Sequence, residues 1–335
     1  MPPLHFGRRA AMLGAVGTAL APVAAAWPRT LVGPGAGLDA GPLATPADFE
    51  RIDLWDGGLP GTDRRDPANS AKPRDPGADG EDVVYTEVGT PMLFVLRPRV
   101  SNGAALLMIP GGAYHIVAAG LEGFAVSRRM VEAGYTCFTL VYRLPGHRQG
   151  DDFTVPLQDA QRAMRLVRSL GASHGFAPKR VGVVGFSAGG HLAGWLSTRQ
   201  EPAYAPRDAV DRQAARPAFT ALIYPVITMT GAAAHAGSRE QLLGPSPAED
   251  RAARLSLQNA VSARTPPTFL VHALDDPAVP ADNSLAMLAA LRRQGIACEC
   301  HLFETGGHGF GLAPRGAPAA RWPELLTAFA RRHGG

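Results

Sequence analysis

Short apolar runs alternate with amphipathic stretches along most of the chain, and this restricts its fold more than any other feature. The runs "MLFVLR" (92–97), "AALLMIP" (104–110), "CFTLVYR" (137–143), "RVGVVGF" (180–186), "FTALIYPVI" (219–227), "TFLVHAL" (268–274) and "ACECHLFE" (297–304) read as strands. Nearly continuous apolar runs of this length suit strands that are buried on both faces. Helical stretches separate them, around Gly123–Ala133, over 155–175, from about Ala188, over Asp282–Gln294 and over Trp322–Arg332. Within 155–175, Leu157, Ala160, Met164, Val167 and Leu170 fall near one helix face. Helical crossovers between successive strands require a mainly parallel sheet covered on both faces. About eight strands in one order predict a single α/β domain over 83–335. Residues 231–266 exceed an ordinary connection and are read as a short lid insertion.

The residues before this domain read differently. Arg8 and Arg9 precede the apolar stretch 10–23, which leads to Ala24-Ala25-Ala26. A positive start, an apolar middle and a small-residue cleavage site predict an export signal over 1–26, and hence a periplasmic or extracellular location. The paired arginines point to the twin-arginine route, although Gly7 and Ala11 stand where Ser/Thr and an aromatic residue are usual. The stretch is shorter than the roughly 20 residues that span a bilayer, so no permanent membrane anchor is expected. Residues 27–82, rich in Pro, Gly and Asp, read as an irregular N-terminal segment. The net charge is only +4 and no long basic run occurs, which leaves nucleic-acid binding with little electrostatic support. Export permits disulfides, yet Cys298 and Cys300 sit two apart on one strand and Cys137 on another, a pattern of free thiols. No H-E-x-x-H, clustered Cys/His or P-loop pattern appears, so neither a metal nor a cofactor is expected.

Gly185-Phe186-Ser187-Ala188-Gly189 fits G-x-S-x-G. Alone the pattern is weak. Here it follows a β-branched run and opens a helix, the context in which a strained turn exposes a serine nucleophile. Helix onset also aims backbone N–H groups at any oxyanion. Such a serine needs a base, and the base an orienting carboxylate, in the chain order Ser, Asp/Glu, His. Of ten histidines, only His301, His308 and His333 lie beyond the strand-end acid pair Asp275–Asp276 that follows Ser187. His301 is mid-strand and His333 is in the C-terminal tail. His308, in the loop "TGGHGFG", is therefore the predicted base. Asp275 and Asp276 end a strand where site residues gather in open α/β sheets. Asp276 is preferred, being followed by the Pro-x-Val-Pro turn, with Asp275 the alternative. The loop "MIPGGAYH" (108–115) offers N–H groups of Gly112 and Ala113 to join that of Ala188 in an oxyanion hole. Ala113 suits this role if its φ stays negative. Tyr114 and His115 follow, where they either touch substrate or pack the loop. His191 reads as a packed helix residue, and Arg143 with Asp159 as a structural pair beneath the site.

These stretches resemble the α/β-hydrolase superfamily, and more narrowly its acetylxylan-esterase-like secreted esterases. The resemblance runs from about Arg51 to the C-terminus. It is carried by "IDLWDGGLPG" (52–61), "NGAALLMIPGGAYH" (102–115), "LVYRLPGH" (140–147), "PLQDAQRAMRLVRS" (156–169), "KRVGVVGFSAGGHLAG" (179–194), "GSREQLLG" (237–244), "TPPTFLVHALDDPAVP" (265–280) and "GGHGFGL" (306–312). It implies an α/β-hydrolase fold with a mainly parallel eight-stranded sheet, a Ser187–Asp276–His308 triad and removal of acetyl groups from xylan or another plant-wall polysaccharide or oligosaccharide. The alternatives are a small-ester hydrolase, a serine peptidase of the prolyl-oligopeptidase type, and a non-catalytic carbohydrate-binding relative. The peptidase is disfavoured because 27–82 is too short for a propeller.

Overall fold

The computed structural model describes residues 48–56, 58–60, 68–74, 82–145, 152–199 and 201–334. The expected export signal lies outside them. The strands are β1 (Glu50–Asp53), β2 (Ser70–Pro73), β3 (Val83–Glu87), β4 (Met92–Leu96), β5 (Ala105–Ile109), β6 (Thr136–Val141), β7 (Val181–Phe186), β8 (Thr220–Ile223), β9 (Thr268–Ala273) and β10 (Cys298–Phe303). The helices are α1 (Val126–Val131), α2 (Val155–Ser169), α3 (Ser187–Thr198), α4 (Ala236–Leu243), α5 (Glu249–Leu255), α6 (Asp282–Arg293) and α7 (Trp322–His333). Eight strands form one sheet in the order β1-β4-β6-β5-β7-β8-β9-β10, and β2 pairs with β3 in a separate hairpin. From β6 to β10 every neighbouring pair is parallel. β4 and β1 are antiparallel additions at one edge.

Side-chain alternation on the central strands builds two cores. Ala105, Leu107 and Ile109 of β5 join Val181 and Val183 of β7 on one face, where α2, α3 and α6 supply Leu157, Met164, Leu192 and Leu291. Leu106 and Met108 join Val184 and Phe186 on the other face, against Val126 and Met130 of α1 and Trp322, Leu326 and Phe329 of α7. The alternation of runs thus yields the expected α/β class, and the sheet has the α/β-hydrolase architecture that the resemblance implies. The helical face read over α2 is the buried one.

Three points differ from the sequence reading. The segment 27–82 is not wholly irregular. It contributes β1, which pairs Ile52 with Leu93, and β2, which pairs Lys72 with Val84. β1 is four residues of "ERID" with three exposed, so an edge strand carries no apolar periodicity to read. The strand expected over 219–227 stops at Ile223, because Tyr224 has a φ of +37° and Pro225 follows. The helix expected around Gly123–Ala133 begins earlier, as a π turn over Gly120–Ala125, and ends at Val131. The insertion 231–266 folds into α4 and α5 followed by a short turn at Leu257–Asn259. The three cysteines are free, as expected, with Cys298 and Cys300 packed against one core. No helix among the described residues is long and apolar enough to cross a membrane.

The glycines around Ser187 let α3 lie directly on β5 and β7. A Cβ at Gly189 would sit 2.2 Å from the Ile109 carbonyl oxygen, and one at Gly185 would sit 2.4 Å from that of Gly189. Both of these contacts involve backbone, which cannot yield as a flexible side chain does. Gly189→Ala is therefore expected to destabilise the fold by about 3 kcal/mol, measured by urea unfolding.

Candidate active site

β7 ends on Phe186 in extended conformation, and Ser187, the first residue of α3, has a φ of +51°. A non-glycine residue there carries strain of order 1 kcal/mol or more, which the surrounding structure must hold. The reversal projects the serine side chain from the sheet's C-terminal edge. Its backbone carbonyl accepts the Val226 N–H at 3.0 Å, which ties the turn to the chain beyond β8.

His308 and Asp276 reach this serine from loops after β10 and β9. Ser187 Oγ lies 2.8 Å from His308 Nε2, and His308 Nδ1 lies 2.7 Å from Asp276 Oδ2. An ionised carboxylate only accepts, so Nδ1 carries the hydrogen and Nε2 is left to accept the serine hydroxyl. Asp276 Oδ1 accepts the N–H groups of Ala278 and Val279, each at 2.9 Å. His272 Nε2 lies 3.3 Å from Asp276 Oδ2. Burial works against the Asp276 charge, but hydrogen bonds from His272, His308 and Val279 outweigh it and hold the carboxyl well below its usual range. Asp275 instead steadies the loop that carries His308, where its Oδ1 accepts the Gly307 N–H at 2.8 Å. Of the two acids, Asp276 is thus the one bonded to the imidazole.

The Gly-Gly loop after β5 approaches closely. A Cβ on Gly111 would lie 2.8 Å from the Ser187 Cβ. Gly112 has a φ of +120°, and its carbonyl accepts the N–H groups of His115 and Ile116. Ala113 departs from expectation, with a φ of +56° rather than a negative one. This tight turn needs left-handed backbone at successive residues, so Ala113 bears it as strain. Ala188, fully buried, lies in the first turn of α3, where N–H groups have no intrahelical partner.

Tyr114 is corrected as a substrate contact. It is 1% exposed, and its hydroxyl lies 2.8 Å from His191 Nδ1. His191 Nε2 lies 2.8 Å from the Leu255 carbonyl, an acceptor, so Nε2 carries the hydrogen and Nδ1 accepts from Tyr114. This chain of bonds joins the Gly111–Ala113 loop to α3 and to the end of α5. His115, by contrast, is exposed beside the loop. Arg143 and Asp159 form the expected structural pair, buried, at 2.7 Å, with the Trp55 indole N–H also on Asp159.

Several neighbours escape a sequence reading. Glu122, on the π turn, accepts the Gly111 N–H. Its signal is faint, a lone acid in the otherwise small and apolar run "VAAGLEGFAV". Tyr224 packs edge-on against His308 with ring centres 5.2 Å apart. His235 caps α4 by accepting the Ser238 N–H at Nδ1, which leaves the hydrogen on Nε2. It is close enough to His308 and Asp276 to feel their charges, and burial pushes its pKa down. A Cβ at Gly237, in the first turn of α4, would lie 4.0 Å from the Ala113 Cβ. The insertion therefore borders the Gly111–Ala113 loop.

The geometry agrees with what the chain is similar to. Residues 97–291 match the model of the BD-FAE family. The chain belongs to the BD-FAE family. An acetylxylan esterase from Xylanibacter ruminicola is 33% identical over 228 residues, which are 67% of this chain and 44% of that one. An endo-1,4-beta-xylanase B from Butyrivibrio fibrisolvens is 32% identical over 214 residues, 62% of this chain and 32% of that one. The chain thus spans less than half of either relative. Among solved structures, an acetyl ester-xyloside bifunctional hydrolase from Caldicellulosiruptor lactoaceticus superposes with a TM-score of 0.69 at 34% identity. The match covers 85% of this chain and 96% of that one. This BD-FAE member thus has the fold and family of carboxylic ester hydrolases.

One pH dependence follows from the packing. Burial pushes His191 down to about 4 from an ordinary 6.5, against the hydrogen bond to the Leu255 carbonyl. A lowered histidine contributes stability that is fully present above pH 6.5 and lost as pH falls towards 4, by up to about 3 kcal/mol. The stability gap between the parent and His191→Gln should therefore narrow over that range in urea titrations.

Proposed function

We propose that this chain is a serine carboxylesterase that removes acetyl groups from plant-wall polysaccharide such as acetylated xylan. The observation that carries the reading is the continuous line from Ser187 Oγ through His308 to Asp276, with contacts of 2.8 and 2.7 Å. The names of the acetylxylan esterase relative and the acetyl ester-xyloside hydrolase neighbour support the acetyl substrate.

The chemistry is acyl transfer in two halves. Ser187 Oγ attacks the ester carbonyl as its proton passes to His308 Nε2. Asp276 holds the imidazolium that forms. The N–H groups of Gly112, Ala113 and Ala188 receive the oxyanion. The C–O bond to the sugar breaks, and the alkoxide takes the proton from His308. Water then attacks the acetyl-enzyme, giving its proton to His308, and Ser187 takes that proton back as acetate leaves. His115, exposed beside the Gly-Gly loop, is the substrate-contacting residue in this reading. Residues 1–26 serve as an export signal in this reading, with catalysis by the following domain in the periplasm or outside the cell.

The test is acetate release from acetylated xylan, with acetylated pectin and p-nitrophenyl acetate in parallel. Ser187-dependent release from xylan is expected. Ser187→Ala should lower kcat by about 10⁶. Asp276→Asn should lower it by about 10⁴, because the imidazole loses its tautomer. Turnover of p-nitrophenyl acetate alone would make the protein a small-ester hydrolase. A Ser187→Ala variant retaining a few per cent of activity would remove the serine from the mechanism.

A further inference from the structure

We propose that Glu122 is a positioning residue for this reaction, a single carboxylate that clamps the oxyanion loop and the loop carrying His308 to each other. The inference rests on the esterase reading above and assigns a residue outside the proposed triad. Glu122 is 4% exposed. Its two oxygens serve different loops. Oε2 accepts the Gly111 N–H at 2.6 Å, immediately before the residues that offer the oxyanion donors. Oε1 accepts the Tyr224 hydroxyl at 3.0 Å, and that hydroxyl oxygen in turn accepts the Gly311 N–H at 3.2 Å. Gly311 lies three residues past His308. The Tyr224 ring fills the space between, 5.2 Å from the His308 ring and 4.6 Å from that of Phe310, both edge-on.

Every bond that the Glu122 carboxylate makes is one it accepts, so its ionised form satisfies the arrangement without rearrangement. Burial pushes its pKa up, but the charges of Arg74 and His308 and the donors from Gly111 and Tyr224 oppose this. The turn that carries it is closely packed, because a Cβ on the adjacent Gly123 would meet the Thr139 Cγ2 at 2.4 Å. Tyr224 is equally constrained: its backbone is left-handed, yet its N–H still bonds the Val271 carbonyl at 2.7 Å. The carboxylate therefore stands on a rigid support and reaches both loops. Donors at an oxyanion act only when aimed at the position the charge will occupy.

The test measures kcat and KM of the full chain on p-nitrophenyl acetate for Glu122→Ala, Glu122→Gln and Tyr224→Phe. Thermal melting and the extent of fluorophosphonate labelling of Ser187 report folding. A misplacement of about 1 Å costs about 10²-fold in rate, so Glu122→Ala is expected to lower kcat about 100-fold with KM changed less than about threefold. Glu122→Gln keeps one acceptor oxygen and should recover about tenfold of that loss. Tyr224→Phe, which cuts one arm of the clamp, should lower kcat about tenfold. Parental kcat in folded Glu122→Ala overturns the proposal. Should that variant not fold, parental kcat in Tyr224→Phe overturns it. A Ser187→Ala control that stays active would instead overturn the esterase reading beneath it, so the two failures are distinguishable.

Discussion

The junction of β7 and α3 is the constraint on which the other distances in the site depend. A parallel strand must turn sharply into a helix that lies back on the same sheet, and the turn places Ser187 in left-handed backbone. That conformation persists because α3 is buried along its whole length and seated against the Ile109 and Pro110 carbonyls through Gly189. The close seat also brings the Gly111–Ala113 loop beside the serine. Helix onset, the placement of Ser187 and the approach of the Gly111–Ala113 loop are therefore consequences of one packing contact. Moving α3 outward by a methyl group would separate all three.

Two buried carboxylates lie near the imidazole, Asp276 bonded to it and Glu122 beyond the Tyr224 ring, and their surroundings differ. Asp276 gathers the N–H groups of Ala278 and Val279 together with two histidines, which stabilise its charge strongly. Glu122 has two neutral donors and feels its positive neighbours only at a distance. The first arrangement suits a group that must stay anionic beside an imidazolium. The second suits a strut, whose value lies in where its oxygens point.

Much of this is legible in the residues, and the part that is not has a common cause. Central strands announce themselves because both faces are buried and the apolar run is unbroken. Ser187 and His308 can be singled out because the G-x-S-x-G turn has a local pattern and the expected chain order limits which histidine could partner the serine. Asp276 and Asp275 are adjacent and chemically identical, so the following turn favours Asp276 while the bond to His308 Nδ1 distinguishes it. β1 is invisible because three of its four residues face solvent. Tyr224, Glu122 and His272 take their roles from partners that no local periodicity encodes. The φ of Ala113 runs against expectation because alanine is rarely placed in left-handed backbone, and only the tight turn at Gly112 forces it there.

The edges of the sheet carry a further consequence. Among the described residues the sheet ends in two edge strands, β1 and β10, and an edge strand offers unpaired N–H and C=O groups to a strand from another molecule. At one rim β1 presents Glu50, Arg51 and Asp53, with Arg51 and Asp53 paired at 2.8 Å. At the other, β10 carries Glu299 and His301, and Glu299 also binds Arg332 from α7. A strand docking at either rim would have to strip water from these charges and break their pairs. The same charges that hide β1 from a hydropathy reading thus guard the sheet against edge-to-edge growth into fibres.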